Sequence, residues 1–174
     1  MDLNNIPISV QVAVSEAKIR GLYLSITADM DFLLVMLITE CFKLNPSEIK
    51  SYYKDKNGKG KDLSELTMYQ RIYICKKGLE KYHKKLYDEH KNSFITIEKL
   101  RFFRNKLAHE KIDNHISPTD TTKLTFHKLR KNFKIEKYEY VIEDLFKELD
   151  EYKKVTQDTL RIFARIMEYP EPLF

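Results

Sequence analysis

The spacing of apolar residues between Ser93 and Lys111 constrains the fold more than any other feature of this sequence. Apolar side chains recur every three or four residues in this stretch, at Phe94, Ile97, Leu100, Phe103 and Leu107. This is the period of an α-helix that rests one face on a core, so the stretch predicts an amphipathic helix. One face of this helix is therefore expected to be buried.

Polar groups line the other side of the same predicted helix. Arg101, Asn105 and His109 follow one another at intervals of four residues, and Arg104 precedes Asn105. Arg104 and His109 are about 140° apart around an ideal helix, so they converge only if His109 lies at or beyond the last turn. A helix C-terminus favours protonated imidazole, and histidine is the usual acid–base group near neutral pH. This polar strip is the predicted site of chemistry.

Residues 104–109, with the sequence RNKLAH, resemble the R-x4–6-H motif of the HEPN family. Asn105 stands where that family commonly has a polar residue after the arginine, and the motif lies late on a helix, as the family places it. The resemblance implies a helical fold and a metal-independent endoribonuclease that needs no cofactor. It also implies a homodimer, in which two copies of the motif face each other across a two-fold cleft.

The resemblance also assigns roles to the residues of the polar strip. His109 would move a proton between the ribose 2′-OH, the leaving 5′-oxygen and water, and Arg104 would hold the charge that develops on the phosphate. A guanidinium suits this role because it grips phosphate oxygens in a fork. Asn105 would orient the imidazole or the phosphate. The predicted substrate-binding cations are Arg101, Lys106 and Lys84. The implied products carry a 2′,3′-cyclic phosphate and a 5′-OH.

Other interpretations of this helix stay open. Arg104 and His109 could simply make surface hydrogen bonds at a helix end, and some HEPN proteins bind a nucleotide or a protein partner without cutting. A metal site has little support, because His109, Asp113 and His115 lack a helical ligand spacing. In HEPN toxins paired with nucleotidyltransferase antitoxins, a modified tyrosine often stands two residues after the histidine, but here that position is Lys111. This departure argues against control by that route and leaves open a free-standing defence or stress nuclease, or a toxin held by a different antitoxin or regulatory protein.

The distribution of charge favours RNA as the partner. The formal net charge is +5, but residues 1–49 and 138–174 are acidic, whereas 50–61, 76–111 and 123–137 are basic. The basic segments enclose the motif helix. Phosphate-backbone binding requires such clustered cations, because each neutralised phosphate releases counterions.

Length and composition exclude several other classes of protein. A chain of 174 residues suits one helical domain spanning 1–174. Cys41 and Cys75 lie in apolar helical patterns without metal-ligand spacing, which predicts buried thiols in a reducing cytoplasm. The longest apolar run, 32–38, is far shorter than the roughly 20 residues of a membrane span, so no membrane contact is expected. Gly58 to Asp62 lacks the strand, spacing and hydroxyl residue of a phosphate-binding loop.

The periodicity predicts an all-α fold, an antiparallel up-and-down four-helix bundle. The long helices are expected over 8–43, over 63–90, from Ser93 to His109, after which the pattern breaks, and over 137–168, with a short helix over 46–53. Residues 110–122 read as a loop, and 123–136 as either a small β-hairpin or a short helix. Tyr69 and Tyr73 are expected on the inner face of the second helix. Asp29 or Asp31 could pair with Arg104 across the bundle.

Overall fold

The computed structural model describes residues 7–109, 111–112, 122–129 and 134–168, with the backbone alone at His109, Lys111, Ile112 and Leu129. Within these residues the chain forms five helices and three strands. The helices are α1 (Ile8–Cys41), α2 (Ile49–Tyr52), α3 (Met68–Tyr82), α4 (Lys84–His109) and α5 (Ile142–Glu168). The strands are β1 (Lys111–Ile112), β2 (Lys123–Leu129) and β3 (Ile135–Val141). The fold is therefore mostly helical with a small antiparallel hairpin before the last helix, which confirms the predicted fold class.

Helix α1 ends two residues before the predicted position and runs without a break through Gly21. Seven apolar residues of its second half are buried, namely Ile26, Met30, Leu33, Leu34, Leu37, Ile38 and Cys41. By length and composition α1 could also cross a membrane, and 44% of its most apolar 18-residue window is buried. A core helix of a soluble protein has the same properties. The cytoplasmic location of the protein stays a prediction.

Helix α3 begins later than predicted. Asp62 and Glu65 form a capping box at the predicted start, but it caps a single 3-10 turn, Leu63–Glu65. A second capping box, between Thr67 and Gln70, starts α3 itself. The predicted inner face was wrong at two positions, because Tyr69 and Tyr73 are 53% and 40% exposed.

The break between α3 and α4 lies at His83, ten residues before the predicted start of the motif helix at Ser93. Helix α4 continues through Asn92, so the prediction of a helix over 63–90 was wrong. The two helices turn back on each other, since Lys76 Nζ of α3 lies 3.4 Å from Glu98 Oε1 of α4. The two helices therefore form an antiparallel helical hairpin, although a single residue joins them.

The apolar stripe of α4 is buried as predicted. Phe94, Ile97, Leu100 and Leu107 are 1% exposed and Phe103 is 7% exposed. Burial of each such side chain contributes about 1.5–3 kcal/mol to the stability of the fold. This burial fixes which side of α4 is available to a ligand. Helix α4 ends at His109, so the motif lies on its last turns.

Residues 123–129 and 135–141 form the two strands of a hairpin, which settles the choice between hairpin and short helix. Strands β2 and β3 pair antiparallel from Lys123 opposite Val141 to Leu129 opposite Ile135, and β1 adds a short third strand beside β2. Because β3 runs to Val141, α5 starts five residues later than predicted. On α5, Leu160 and Met167 are exposed and Ile162 is buried. Apart from β1 and Thr122, the predicted loop 110–122, including Asp113 and His115, lies outside the described residues.

The chain divides into two compact units. The first comprises residues up to 25 together with 102–151, and the second comprises 26–101 together with the residues from 152 onward. The single domain over 1–174 therefore stays a prediction. In the first unit, four rings form a continuous core cluster. The ring centroids are 4.7 Å apart for Tyr23 and Phe103, 5.4 Å for Phe103 and Tyr140, and 5.3 Å for Phe126 and Tyr140.

The second unit holds α1 and α3 close together at Gly78. A Cβ at this position would lie 2.6 Å from Cε2 of Phe42 and 2.9 Å from Cβ of Cys41. Both thiols of the chain, Cys41 and Cys75, are free and buried. Burial raises the pKa of Cys41 to about 12, so this thiol is inert near neutral pH.

Candidate functional site

The candidate site is the C-terminal end of α4, in the first unit. Phe103 and Leu107 are buried there, which leaves Arg104, Asn105 and Lys106 partly exposed between them. His109 is the last residue of α4 by its backbone, and its side chain lies outside the described residues. The expected position of the histidine at the helix end is therefore confirmed, while its role in chemistry stays a prediction.

The Arg104 guanidinium differs from most other described guanidinium groups in its partners. Its Nη1 donates a hydrogen bond to Oδ1 of Asn105 at 3.2 Å, and it makes no ion pair with a described carboxylate. Four other described arginines do make one: Arg20 with Glu16, Arg71 with Asp31, Arg161 with Asp158 and Arg165 with Glu89. Arg104 therefore keeps a positive charge that no described carboxylate neutralises. Asn105 orients this guanidinium, where the sequence suggested the imidazole or the phosphate.

Lys106 faces the hairpin. Its Nζ donates a hydrogen bond to the Tyr140 hydroxyl at 2.6 Å and lies 4.9 Å from the Tyr138 ring centroid. The ring centroids of Tyr140 and Phe102 are each 5.4 Å away. Rings on several sides of an ammonium stabilise its charge through cation–π interactions. Lys106 therefore fastens β3 to α4, and it lies about 200° around the helix from Arg104. Its predicted contact with substrate stays a prediction.

Arg20 of α1 is a candidate that the sequence did not single out. Its Nη1 donates to the main-chain carbonyl of Leu107, and its Nε donates to Oε1 of Glu16 at 2.8 Å. The carbonyl groups in the last turn of a helix lack partners within the helix, so a cation there satisfies them and complements the dipole. The spacing of four residues between Glu16 and Arg20 indicates in the sequence that they pair on one helix face. Nothing in the sequence indicates that Arg20 also contacts α4.

Two of the predicted substrate-binding residues, Arg101 and Lys84, belong to the second unit. The guanidinium carbon of Arg101 lies 5.1 Å from the Tyr69 ring centroid. Lys84 is the first residue of α4, twenty residues before Arg104 in the sequence. Its Nζ pairs with Asp88 Oδ1 at 3.1 Å. The predicted helix boundaries place Lys84 on a different helix from the motif, whereas in the structure both lie on α4.

The acidic partner suggested for Arg104 has a different contact. Asp31 Oδ2 pairs with Arg71 Nη1 of α3, and the second oxygen, Oδ1, is buried without a hydrogen-bond partner among the described residues. Asp29 is exposed. Asp31 therefore joins α1 to α3 in the second unit.

The densest cluster of charged contacts in the second unit surrounds Glu48. Its carboxylate accepts hydrogen bonds from Lys81 Nζ at 2.9 Å, the Tyr82 hydroxyl at 2.5 Å and the Tyr52 hydroxyl at 3.0 Å. Burial of the carboxylate would raise the pKa of Glu48, but these hydrogen bonds outweigh it and lower the pKa. Burial and the Glu48 charge raise the pKa of Tyr52 to about 12. The cluster ties α2 to the end of α3, which is a structural role.

A cavity of about 380 Å³ lies near this cluster, beside the break at His83. Burial lowers the pKa of His83, so its imidazole is neutral near pH 7. Asn45 and Tyr82 also line the cavity, but both donate hydrogen bonds to Glu48. A ligand site usually offers several polar groups that converge on its interior, and two of those that line this cavity are already engaged by Glu48.

No group of three His, Cys, Asp or Glu residues with the geometry of a metal site occurs among the described residues. Comparison with protein-family models, with curated proteins and with solved structures gives no match for this chain.

Proposed function

We propose that this protein is a metal-independent endoribonuclease of the HEPN type, with its active site at the end of α4. The observation that carries the proposal is Arg104, a half-exposed guanidinium without a carboxylate partner among the described residues. Arg104 stands five residues before His109, which ends α4. A guanidinium left without a counter-charge is available to a phosphate group.

The proposed reaction moves protons and charge without a metal ion. The ribose 2′-oxygen bonds to the adjacent phosphorus as it loses its proton, and the bond from phosphorus to the 5′-oxygen breaks as that oxygen gains a proton. His109 transfers these protons. Arg104, held by Asn105, stabilises the negative charge on the phosphorane oxygens. The products are a 2′,3′-cyclic phosphate and a 5′-OH.

A second copy of the chain completes the proposed site. Two motifs across a two-fold axis would each supply an arginine and a histidine to one phosphate. We place this dimer in the cytoplasm, and the free, buried Cys41 and Cys75 fit a reducing compartment.

The proposal is tested by incubating RNA with the purified protein in EDTA. Cleavage is expected, and Arg104→Ala or His109→Ala should reduce its rate by roughly two to four orders of magnitude. Arg161→Ala is the matched control, because it removes an exposed arginine that already pairs with Asp158. The variants should keep the helical circular dichroism of the parent. Intact RNA, or equal losses in all three variants, would exclude the proposed site.

A non-catalytic helical module is the alternative, and one observation favours it. The side chains of Lys106 and Arg101, expected to bind substrate, lie against aromatic rings of the protein itself. Cations engaged in this way stabilise a fold and need no substrate. The cleavage assay separates the two functions, because the module would leave RNA intact while binding a nucleotide or a protein.

A further inference from the structure

Three tyrosines of the second unit form a partly exposed surface. Tyr69 and Tyr73 lie one turn apart on α3 and are 53% and 40% exposed. Tyr53, which follows α2, places its ring centroid 5.9 Å from that of Tyr73. None of the three hydroxyls has a hydrogen-bond partner in the described part of the chain. Rings this exposed contribute little to a core, so they are available to a ligand.

Arg101 extends this tyrosine surface onto α4. Its guanidinium lies 5.1 Å from the Tyr69 ring centroid, and its Nε is buried without a hydrogen-bond partner among the described residues. Stacking on a ring holds the planar guanidinium in one orientation and leaves its edge available for phosphate oxygens. As with Arg104, no described carboxylate pairs with it.

A basic turn lies directly beside the tyrosine surface. Residues 50–61 contain five lysines and one aspartate. The turn is closed by a bridge between Lys54 and Gly60, and the Lys61 main-chain N–H donates to the Tyr53 carbonyl at 2.9 Å. Lys50 pairs with Asp62 at 2.7 Å. The other four lysines have no described ion pair: Lys54, Lys56, Lys59 and Lys61. The edge of the surface at Tyr53 therefore carries a local excess of positive charge.

We propose that the tyrosine surface, Tyr53, Tyr69 and Tyr73 with Arg101, binds single-stranded RNA, with bases stacked on Tyr69 and Tyr73 and phosphates held by Arg101 and the lysine turn. A surface that binds a single strand needs exposed rings and unpaired cations side by side. The rings stack on the π-faces of the bases, and the cations bind the charged phosphate of each linkage. A duplex is not expected to bind here, since its bases already stack on each other. The choice of RNA rests on the proposed function, but the surface lies outside the proposed catalytic site.

Fluorescence anisotropy with a labelled, single-stranded 2′-O-methyl RNA of about 12 nucleotides tests the proposal without cleavage. Tyr69→Ala should weaken binding roughly five- to hundredfold, the cost of losing one base stack. Tyr69→Phe keeps the ring and should bind like the parent. Leu160→Ala, which truncates another half-exposed apolar residue, should also leave binding unchanged. Unchanged binding in Tyr69→Ala, or no binding by the parent, overturns the proposal.

Tryptophan fluorescence gives a second readout at the same position. The chain contains no tryptophan, so Tyr69→Trp introduces a single reporter ring. Stacking of a base should quench its emission when the single strand is added, and a duplex of the same sequence should have little effect. Equal quenching by the duplex would refute base stacking. Arg104→Ala introduced into the Tyr69→Trp variant should lose cleavage and keep this quenching, so the proposed function and the tyrosine surface can fail separately.

Discussion

Replacing Gly78 by alanine should destabilise the protein, whereas replacing Gly21 by alanine should stabilise it. Both glycines lie inside helices, so each substitution gains about 1 kcal/mol of helix propensity. At Gly21 an added Cβ meets nothing within 4 Å. At Gly78 it would lie 2.6 Å from Phe42 Cε2 and 2.9 Å from Cys41 Cβ, so the ring or the backbone of α1 must move. Overpacking of this kind costs about 1–3 kcal/mol. The difference between the two variants isolates this packing cost, because the propensity gain cancels.

Urea unfolding followed by circular dichroism measures this difference. The free energies of unfolding of the two variants should differ by about 1–3 kcal/mol, with Gly21→Ala the more stable. For a chain of this length, each kcal/mol corresponds to about 2–4 °C in Tm. If Gly78→Ala stabilised the protein as much as Gly21→Ala, the close approach of α1 and α3 at Gly78 would be refuted.

Three further predictions concern the two units and the assembly. Glu48→Gln should lower stability near neutral pH. Hydrogen bonds lower the folded-state pKa of Glu48 below its ordinary value of 4.5. Its contribution to the free energy of unfolding is therefore complete above pH 4.5 and disappears as the pH falls through the folded-state pKa. Urea midpoints measured across this pH range check the prediction. Under the proposed function, Arg20→Ala should lower kcat more than it raises KM, because Arg20 holds the Leu107 carbonyl at the end of α4, and Arg20→Lys should restore part of the rate; an unchanged kcat would remove Arg20 from the site. Sedimentation at about tens of micromolar, where weak interfaces saturate, should report twice the 20.8 kDa chain mass, and a strict monomer would leave the two-fold site unformed.

The helix that carries the motif could be predicted because its information is local. The five apolar residues that repeat with the helical period are all buried, namely Phe94, Ile97, Leu100, Phe103 and Leu107, whereas Ile95 and Phe102 lie off this stripe and are exposed. Its start could not be predicted in the same way. Asn92 and Ser93 resemble a cap, but α4 continues through them. The break occurs at His83, where Lys81 and Tyr82 are held by Glu48 from a distant segment.

The surroundings of the motif depend on contacts between residues distant in sequence, which periodicity does not encode. Arg20 meets Leu107 across 87 residues, and Lys106 meets Tyr140 across 34. The same holds for Tyr69, which was expected inside. Because α3 starts at Met68, Tyr69 lies in its exposed first turn and packs against Arg101 of α4. The C-terminal end of the motif helix could be predicted from the sequence, but the first residues of α3, α4 and α5 and the partners of each charge could not.

Analysis of the RNA ends tests the central claim most directly, that Arg104 and His109 cut RNA through the ribose 2′-OH. The parent protein in EDTA should produce 2′,3′-cyclic phosphate and 5′-OH ends, detectable by mass spectrometry, and should leave a 2′-O-methyl strand of the same sequence intact. His109→Ala should produce neither end above background. Cleavage of the 2′-O-methyl strand, or products with 3′-OH and 5′-phosphate ends, would contradict the account.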